Sequence, residues 1–262
     1  MLKIAVFNQK GGVSKTTSTA NLAVIFAEHY KKRVLAIDCD AQANLSYYMT
    51  KNLGGNSRFA EALIHKTDLR TCIEPVSFVK GRKQFHPSLS IIESNEMIDY
   101  LDIPETDIIA SFLDNVDDEY DICLMDCGPQ KTAFNLLSLA ACDYVIVPMD
   151  PQIVNVNSIK LVETFLKNTC KISGNKAVIL GAFLSLFDQN ASLHKQIKEI
   201  FEQNLGDMMF KTFIRKSRSM EESYSLALPI YYYGRRQGVC KDYIALADEI
   251  LAKVKEKNYG TK

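Results

Sequence analysis

The chain has 262 residues, of which 47% are apolar and 24% are charged. This is enough to bury a large core, either in one α/β domain or in two small domains. The 31 basic and 31 acidic residues cancel, which excludes recruitment of a polyanion by net charge alone. A nucleic-acid surface would therefore require a local cluster of cations.

The spacing of the seven cysteines and the length of the apolar runs indicate in which cellular compartment the protein is expected. No two cysteines form a C-x-x-C pair and most lie within apolar segments, which favours reduced thiols in a cytosolic protein over a disulfide framework or a metal site. The first apolar run is six residues long and leads directly into a glycine-rich segment, unlike a secretory signal. No apolar stretch is long enough to span a bilayer. The sequence predicts a soluble intracellular protein.

Short apolar runs rich in β-formers alternate with longer helical patterns along the chain. Strands are predicted over 2–8, 33–38, 89–93, 121–126, 143–148, 177–184 and 208–213. Helices are predicted over 15–30, 58–65, 105–116, 131–141, 156–170, 190–204, 217–226 and 241–257. The strand candidates are almost continuously apolar, as in strands that are covered on both faces. The alternation predicts a single α/β domain over 1–262, with a doubly wound, mostly parallel sheet and helices on both faces.

The segment NQKGGVSKTT, residues 8–17, joins the first predicted strand to the first predicted helix. It follows the phosphate-binding pattern G-x-x-x-x-G-K-[ST], except that Gln9 and Ser14 replace the two outer glycines. Backbone amides make most phosphate contacts, so both replacements are compatible with binding if their backbone dihedrals are ordinary. Lys15 would then reach the β- and γ-phosphates, and the Thr16 hydroxyl would hold Mg²⁺. The alternative is a glycine-rich turn with an incidental lysine.

Carboxylates follow two further predicted strands. Asp38 and Asp40 lie in the segment AIDCDAQANLS, and Asp126 follows the apolar residues ICLM. Ligands of open α/β sheets bind at the carboxyl ends of the parallel strands, where all three acids are expected. Asp126 occupies the position expected of a magnesium-side carboxylate in a P-loop ATPase. Each acid taken alone is also compatible with a solvated turn.

The segments 10–17, 38–42 and 126–129 together make the chain similar to the deviant P-loop ATPases of the ParA/MinD family. Within it, the chain resembles the small ParA-type DNA-partitioning ATPases over nearly its whole length, including 145–159 and 212–231. Lys10 matches the signature lysine that defines this branch. The resemblance implies that ATP is bound by Lys10, Gly11, Gly12, Val13, Ser14, Lys15, Thr16 and Thr17.

The resemblance also implies a mechanism. Two subunits would sandwich two ATP molecules, and Lys10 would reach the partner's nucleotide, where charge supplied in trans can be worth on the order of 10³–10⁵ in rate. Lys10, Lys15 and Asp40 would be the catalytic residues, with Asp40 orienting the attacking water. Thr16, Asp38 and Asp126 would support Mg²⁺, although Asp38 could instead have a structural role. ATP binding would then control dimerisation, and hydrolysis would dissolve the dimer.

A group of cations matches the segment that contacts DNA in this family. The group consists of Lys211, Arg215, Lys216 and Arg218. It could also be a solvated helix start. Family members commonly have proline and asparagine beside the first arginine, where this chain has Ile214 and Lys216. No helix-turn-helix extension precedes the first strand, so the resemblance implies binding to double-stranded DNA without sequence specificity.

Two functions from different classes follow from the family. The first is a cytoplasmic, nucleoid-associated partitioning ATPase whose slow hydrolysis is stimulated by DNA and by a ParB-like centromere-binding partner. The second is a metabolic or maturation ATPase that acts on a small substrate. A MinD-like positioning ATPase would end in an amphipathic membrane helix, but the apolar positions of the last predicted helix stop at Val254. We expect that helix to pack on the domain. Electron transfer, as in the nitrogenase iron proteins, would need a second cluster cysteine besides Cys127.

Overall fold

The computed structural model describes residues 1–101, 107–130 and 132–259. The strands are β1 (Leu2–Val6), β2 (Val34–Cys39), β3 (Ile73–Pro75), β4 (Phe78–Lys80), β5 (Lys83–Phe85), β6 (Leu89–Ile92), β7 (Ile122–Cys127), β8 (Tyr144–Met149) and β9 (Val178–Leu184). The helices are α1 (Lys15–Glu28), α2 (Asn44–Thr50), α3 (Arg58–His65), α4 (Ile108–Asn115), α5 (Ala133–Ala140), α6 (Ser158–Ser173), α7 (Ser192–Leu205), α8 (Arg218–Ser225), α9 (Ile230–Gly234) and α10 (Gly238–Tyr259).

Seven of these strands form one sheet in the order β3-β6-β2-β7-β1-β8-β9. Only the edge strand β3 runs antiparallel to its neighbour, and the other five pairings are parallel. The short strands β4 and β5 pair with each other in a separate antiparallel hairpin. The predicted fold class, a doubly wound and mostly parallel α/β sheet, is confirmed.

An apolar core lies on each face of this sheet. Because side chains of a strand alternate between its faces, Ala5 and Phe7 enter the core that α3 to α7 cover. Ile4 and Val6 enter the core that α1, α2 and α8 to α10 cover. All four residues are fully buried. Burial of both faces is the reason that the strand sequences are continuously apolar rather than alternating.

The last helix, α10, is part of the second core. Its apolar side chains Tyr243, Leu246 and Ile250 are fully buried, and Val254 is nearly so. This confirms the expectation that the helix packs on the domain. Among the described residues, no helix combines the length and the apolar composition needed to cross a membrane.

The strand predicted over 208–213 does not form. This segment instead runs beside β9 with one isolated bridge, between Ala182 and Met209, and with a hydrogen bond from the Phe210 amide to the Ala182 carbonyl. The Phe210 ring lies against Gly181, in the middle of β9. The run 208–213 is apolar because Phe210 packs over the edge of the sheet, and not because the run forms a regular hydrogen-bonded strand.

Several elements have bounds that the sequence did not predict. The edge strand β3, the helix α2, the hairpin β4–β5 and the short helix α9 were not predicted, and α10 begins three residues before its predicted start. The predicted helices over 105–116 and 131–141 are present as α4 and α5, but their first residues lie outside the described part of the chain.

The helix α1 begins in an unusual way. Its N-cap residue, Ser14, has φ 65° and ψ 30°, which is the left-handed conformation, and its side chain makes no capping hydrogen bond. The condition of ordinary dihedrals, under which serine was expected to be compatible with binding at this position, is therefore not met. Position 14 is one that the common phosphate-loop pattern gives to glycine, and the left-handed backbone is the physical reason for that preference.

We expect Gly181→Ala to destabilise the fold by about 1–3 kcal/mol, the range for overpacking a filled site. A Cβ at Gly181 would lie 2.7 Å from Cε2 of Phe210 and 2.9 Å from the carbonyl oxygen of Met208. Urea unfolding measures the change. The control is Val178→Ala in the same strand, where the side chain is 41% exposed and the cost should stay near ~0.5 kcal/mol. Equal stabilities of the two variants would contradict this packing.

Ser14→Gly should stabilise the protein, because glycine adopts the left-handed backbone without the strain of a Cβ. The gain should be on the order of 1 kcal/mol, or ~2–4 °C in Tm for a chain of this size. Ser14→Ala keeps the strained backbone and also lacks a capping hydroxyl, so it is the matched control and should show no gain. A melting temperature that is higher for the alanine variant than for the glycine variant would refute the strain at this position.

Candidate functional site

The loop between β1 and α1 is fixed by hydrogen bonds to neighbouring strand ends. The Asn8 side chain donates to the carbonyl of Pro148 at 2.9 Å and accepts from the Lys10 amide at 3.0 Å. Further along, the carbonyl of buried Val13 accepts from the Ser185 hydroxyl at 3.0 Å. These contacts hold the loop on β8 and β9, with its glycines exposed to solvent.

Lys15 is the first residue of α1, directly after this loop. The residue is only 7% exposed, and its ammonium donates to the Lys10 carbonyl at 3.0 Å. Burial lowers the pKa of Lys15, while the carboxylates of Asp126 and Asp40 oppose that shift. The loop thus encloses a cation at the start of a helix, where backbone amides also favour an anion.

Lys10 has partners in its own subunit that the sequence did not predict. Its ammonium lies 2.9 and 3.0 Å from the two carboxylate oxygens of Asp150 and 2.9 Å from Oε1 of Gln152. Asp150 itself is nearly buried and is held by the side-chain amide of Asn155. The signal was available, because Asp150 directly follows β8 at the edge where the other acids lie.

Asp38 and Asp126 are neighbours in the register of β2 and β7, and both are buried. Both carboxylate oxygens of Asp38 accept hydrogen bonds, from the Asp40 amide at 3.1 Å and from the amide and hydroxyl of Ser46, each at 2.8 Å. Asp38 thereby holds the loop to α2 and the start of that helix. This geometry favours the structural alternative for Asp38 over the predicted support of Mg²⁺.

The two carboxylate oxygens of Asp126 differ in their hydrogen bonding. Its Oδ1 accepts from the Thr19 hydroxyl at 3.1 Å, whereas its buried Oδ2 has no hydrogen-bond partner among the described residues. Burial, together with the neighbouring Asp38, raises the pKa of Asp126 to about 8. A buried acceptor without a partner is costly. A hydrated Mg²⁺ near Thr16 would satisfy this oxygen and favour its ionised form, so the residues present fit that cation.

Asp40 lies at the mouth of the site. Its Oδ1 accepts from the Gln42 amide at 3.1 Å, and its carboxylate approaches Gly128, in the loop after β7, so closely that a Cβ there would lie 3.1 Å from the carboxyl carbon. A side chain at position 128 would press on the Asp40 carboxylate and shift it by a few tenths of an ångström. The motif around Asp126 and the motif around Asp40 form one wall.

These elements surround an open cleft of about 450 Å³. Its lining includes Gly11, Gly12, Ser14, Lys15, Thr16, Thr17, Asp40, Gln42, Asn44, Pro129, Leu186 and Tyr224. Sequence reasoning did not predict Asn44, Leu186 or Tyr224 as site residues. Leu186 follows β9 at the same sheet edge, which was a usable signal, whereas Tyr224 reaches the cleft from α8 through tertiary packing alone.

The four cations of the predicted DNA-binding group differ in their exposure and in their partners. The guanidinium of Arg215 binds Asp242 on α10 through two hydrogen bonds of 2.6 and 2.7 Å. Lys211 is exposed, but it lines a cleft with acidic residues that include Glu202, Asp207 and Glu249. Lys216 is exposed, and the side chain of Arg218 is 90% exposed while lying 3.2 Å from Glu222. The prediction placed these four cations on one surface; in the structure Arg215 is paired with Asp242 within the subunit, and its side chain remains 37% exposed.

Comparison with known proteins gives the family of the chain. A family model described as "AAA domain" matches residues 1–179. The chain is 28% identical to the chromosome-partitioning ATPase Soj of Treponema pallidum over 255 residues, which cover 97% of this chain and 98% of Soj.

Two solved structures share the fold. One is apo McdA of Cyanothece (TM-score 0.80, 17% identity, 96% and 99% of the two chains covered). The other is cobyrinic acid a,c-diamide synthase of Mycobacterium smegmatis with a bound ATP analogue and magnesium (TM-score 0.76, 19% identity, 96% and 94% covered). The loop around Lys10 and Lys15, the acids at the sheet edge and the match over two thirds of the sequence lead to one conclusion: the chain belongs to the AAA-domain family of that model, as a P-loop ATPase of the ParA/MinD type.

Proposed function

We propose that this protein is a DNA-partitioning ATPase that dimerises on ATP, binds double-stranded DNA without sequence specificity, and leaves the DNA after hydrolysis. The observation that carries the proposal is one strand-to-helix segment that contains both a buried Lys15 and a second lysine, Lys10, directly before the glycines that line the cleft. Its supports are the fold shared with ParA/MinD-type proteins and the similarity to the chromosome-partitioning ATPase Soj.

ATP would lie in the cleft with its phosphates on the loop. Lys15 would exchange its hydrogen bond to the Lys10 carbonyl for phosphate oxygens, and the amides at the start of α1 would bind the same anion. Thr16 and Asp126 would hold Mg²⁺, which neutralises charge on the phosphates. Thr17 lines the cleft beside Thr16 and would donate to a phosphate oxygen.

Hydrolysis would depend on Asp40. Its carboxylate lies in the lining of the cleft and is held by the Gln42 amide, so it can orient a water molecule for attack on the terminal phosphate. Placement on a short, hydrogen-bonded turn fixes the direction of this acceptor, and positioning of the nucleophile supplies much of the catalysis of phosphoryl transfer.

The dimer would require Lys10 to change partners. In the single subunit its ammonium is bound by Asp150 and Gln152, and a role on the partner's nucleotide requires this contact to break. The phosphates of ATP carry more charge than one carboxylate, so the exchange is favourable only when a nucleotide-loaded partner is present. The ion pair would therefore help to make dimerisation dependent on ATP.

DNA binding and a ParB-like partner complete the cycle. Exposed Lys216 and Arg218 would contact phosphates, which gives binding without base readout. A centromere-binding partner would stimulate hydrolysis and release the dimer from DNA, and the protein would be cytoplasmic and associated with the nucleoid. The alternative, turnover of a small substrate, predicts ATP hydrolysis that is indifferent to DNA.

The direct test is DNA affinity in four nucleotide states. We expect the protein to bind a duplex of arbitrary sequence with ATP or a non-hydrolysable analogue, and to bind at least tenfold more weakly with ADP or no nucleotide, because only the dimer doubles the phosphate contacts. Fluorescence anisotropy gives the affinity, and light scattering gives the oligomeric state. Lys10→Ala is the control that should bind ATP yet stay monomeric. Equal affinity in all four states would overturn the proposed switch.

Asp150→Asn should make dimerisation easier, because it removes the charge that binds Lys10 within the subunit. An ion pair on the order of 1 kcal/mol corresponds to a roughly fivefold lower ATP concentration at half-dimerisation. The Asn155 contact that holds position 150 can persist in this variant. Combining Asp150→Asn with Lys10→Ala should abolish the gain. If Asp150→Asn instead requires more ATP to dimerise, Asp150 serves the dimer rather than the single subunit.

A further inference from the structure

The predicted DNA segment offers few available cations. Arg215 is bound to Asp242, Lys211 shares its cleft with four acidic side chains, and Arg218 lies beside Glu222. Under the proposed function, Lys216 and Arg218, whose side chain is 90% exposed despite its contact with Glu222, would be the main phosphate ligands of this segment in each subunit. Non-specific binding at physiological salt depends on the number of phosphates that are neutralised, so further cations have to contribute from elsewhere on the surface.

A second group of cations lies on the β4–β5 hairpin and just after α9. Arg82 and Lys83 occupy the turn and the first position of β5, and Arg235 and Arg236 follow α9. All four are exposed. Within the described part of the chain, Arg82 and Lys83 have no side-chain hydrogen bond or ion pair, and Arg235 lies over the Tyr231 ring at 4.6 Å. We call these four residues the hairpin surface.

The hairpin is held rigidly on α9. The Lys80 ammonium donates to the carbonyls of Tyr232 and Tyr233 at 3.1 and 2.7 Å, at the C-terminal end of that helix. The Phe85 ring stacks on Tyr232 with centroids 4.4 Å apart. Arg82 and Lys83 follow Lys80 within three residues, and Arg235 and Arg236 follow Tyr233 within three residues. The hydrogen bond between Lys80 and Tyr233 therefore brings the two pairs of cations into one region despite their separation in sequence.

Tyr233 joins this region to the predicted DNA segment. Its hydroxyl donates to Glu222, the acid that also lies beside Arg218. Its carbonyl accepts from Lys80 at the base of the hairpin. One chain of contacts, from Arg218 through Glu222 and Tyr233 to Lys80, therefore links the two groups of cations. The intervening carboxylate is already paired with its neighbours.

Resting on the proposed function, we propose that the hairpin surface is a second part of the DNA-binding face, and that Arg82, Lys83, Arg235 and Arg236 contact phosphates of the same duplex that Lys216 and Arg218 contact. The surface has the character of a phosphate site. The aromatic side chains Tyr231 and Tyr232 are buried beneath it, and Val79 on β4 is an isolated exposed apolar side chain. This is less than the cluster of aromatic anchors that a protein partner would use. Exposed cations on a rigid support suffice for backbone binding.

The test compares two double variants of the full chain with ATP present. Arg82→Ala with Lys83→Ala removes two cations from the hairpin. Lys171→Ala with Lys176→Ala removes two exposed cations near the other face of the sheet, at the end of α6 and before β9, and is matched in net charge. Affinity for an arbitrary duplex is measured at several salt concentrations, together with ATP-dependent dimerisation and basal hydrolysis.

We expect the hairpin variant to lose at least tenfold in DNA affinity, and its plot of log K against log salt to become shallower by ~2 to 4, since each phosphate contact contributes ~0.9 and a dimer loses up to four. Dimerisation and basal hydrolysis should match the parent, as should the DNA affinity of the control. Arg235→Ala with Arg236→Ala should weaken DNA binding in the same way.

Three results would overturn the inference. A parental affinity and salt slope in the hairpin variant would place the contacts elsewhere and leave the proposed function intact. Parental DNA binding combined with loss of stimulation by a centromere-binding partner would assign the surface to that protein. Absence of ATP-dependent DNA binding in the parent itself would remove the proposed function, and the inference with it.

Discussion

The parallel pairing of β2, β7, β1 and β8 is the constraint on which the site depends. Parallel strands end at the same edge of the sheet, so residues that are far apart in the sequence come together at that edge. Asp38 and Asp126 are register partners, and the loop after β1 is tied to the strand ends beside it. The apolar cores on both faces hold these strands in register, and the polar edge is the part of the sheet that remains open.

The sequence predicted what local pattern and strand direction can determine. Six of the seven strands of the main sheet coincide with, or overlap, a strand that was predicted from an apolar run. The acids that follow these strands lie at the predicted edge of the sheet. Pairings set by tertiary packing could not be predicted, because nothing in the local sequence distinguishes Arg215, bound to Asp242, from Arg218, which is exposed. Tyr224 reaches the cleft for the same kind of reason. The left-handed backbone of Ser14 could be suspected from the common glycine, yet only the structure gives its dihedrals.

Charge in this protein is organised by pairing rather than by excess. The chain has no net charge, and the cations near the site have specific partners: Asp150 for Lys10, the loop carbonyl for Lys15 and Asp242 for Arg215. A cation with a partner is held in a defined direction, but it must exchange that partner before it can bind a ligand. Paired cations therefore hold neighbouring parts of the structure in place. Unpaired cations can bind a ligand without first losing a partner.

The hydrogen bond between Lys15 and the Lys10 carbonyl has a thermodynamic consequence. A free lysine side chain loses ~1.5–2 kcal/mol of rotamer entropy when it is fixed. Here the side chain is already buried and ordered, so this loss accompanies folding and is not repeated when a phosphate arrives. Exchange of a neutral carbonyl for a phosphate oxygen then adds charge assistance to a bond whose direction exists beforehand. The loop is therefore preorganised for its anion. The entropy cost of ordering Lys15 lowers the stability of the fold instead of the affinity for the anion.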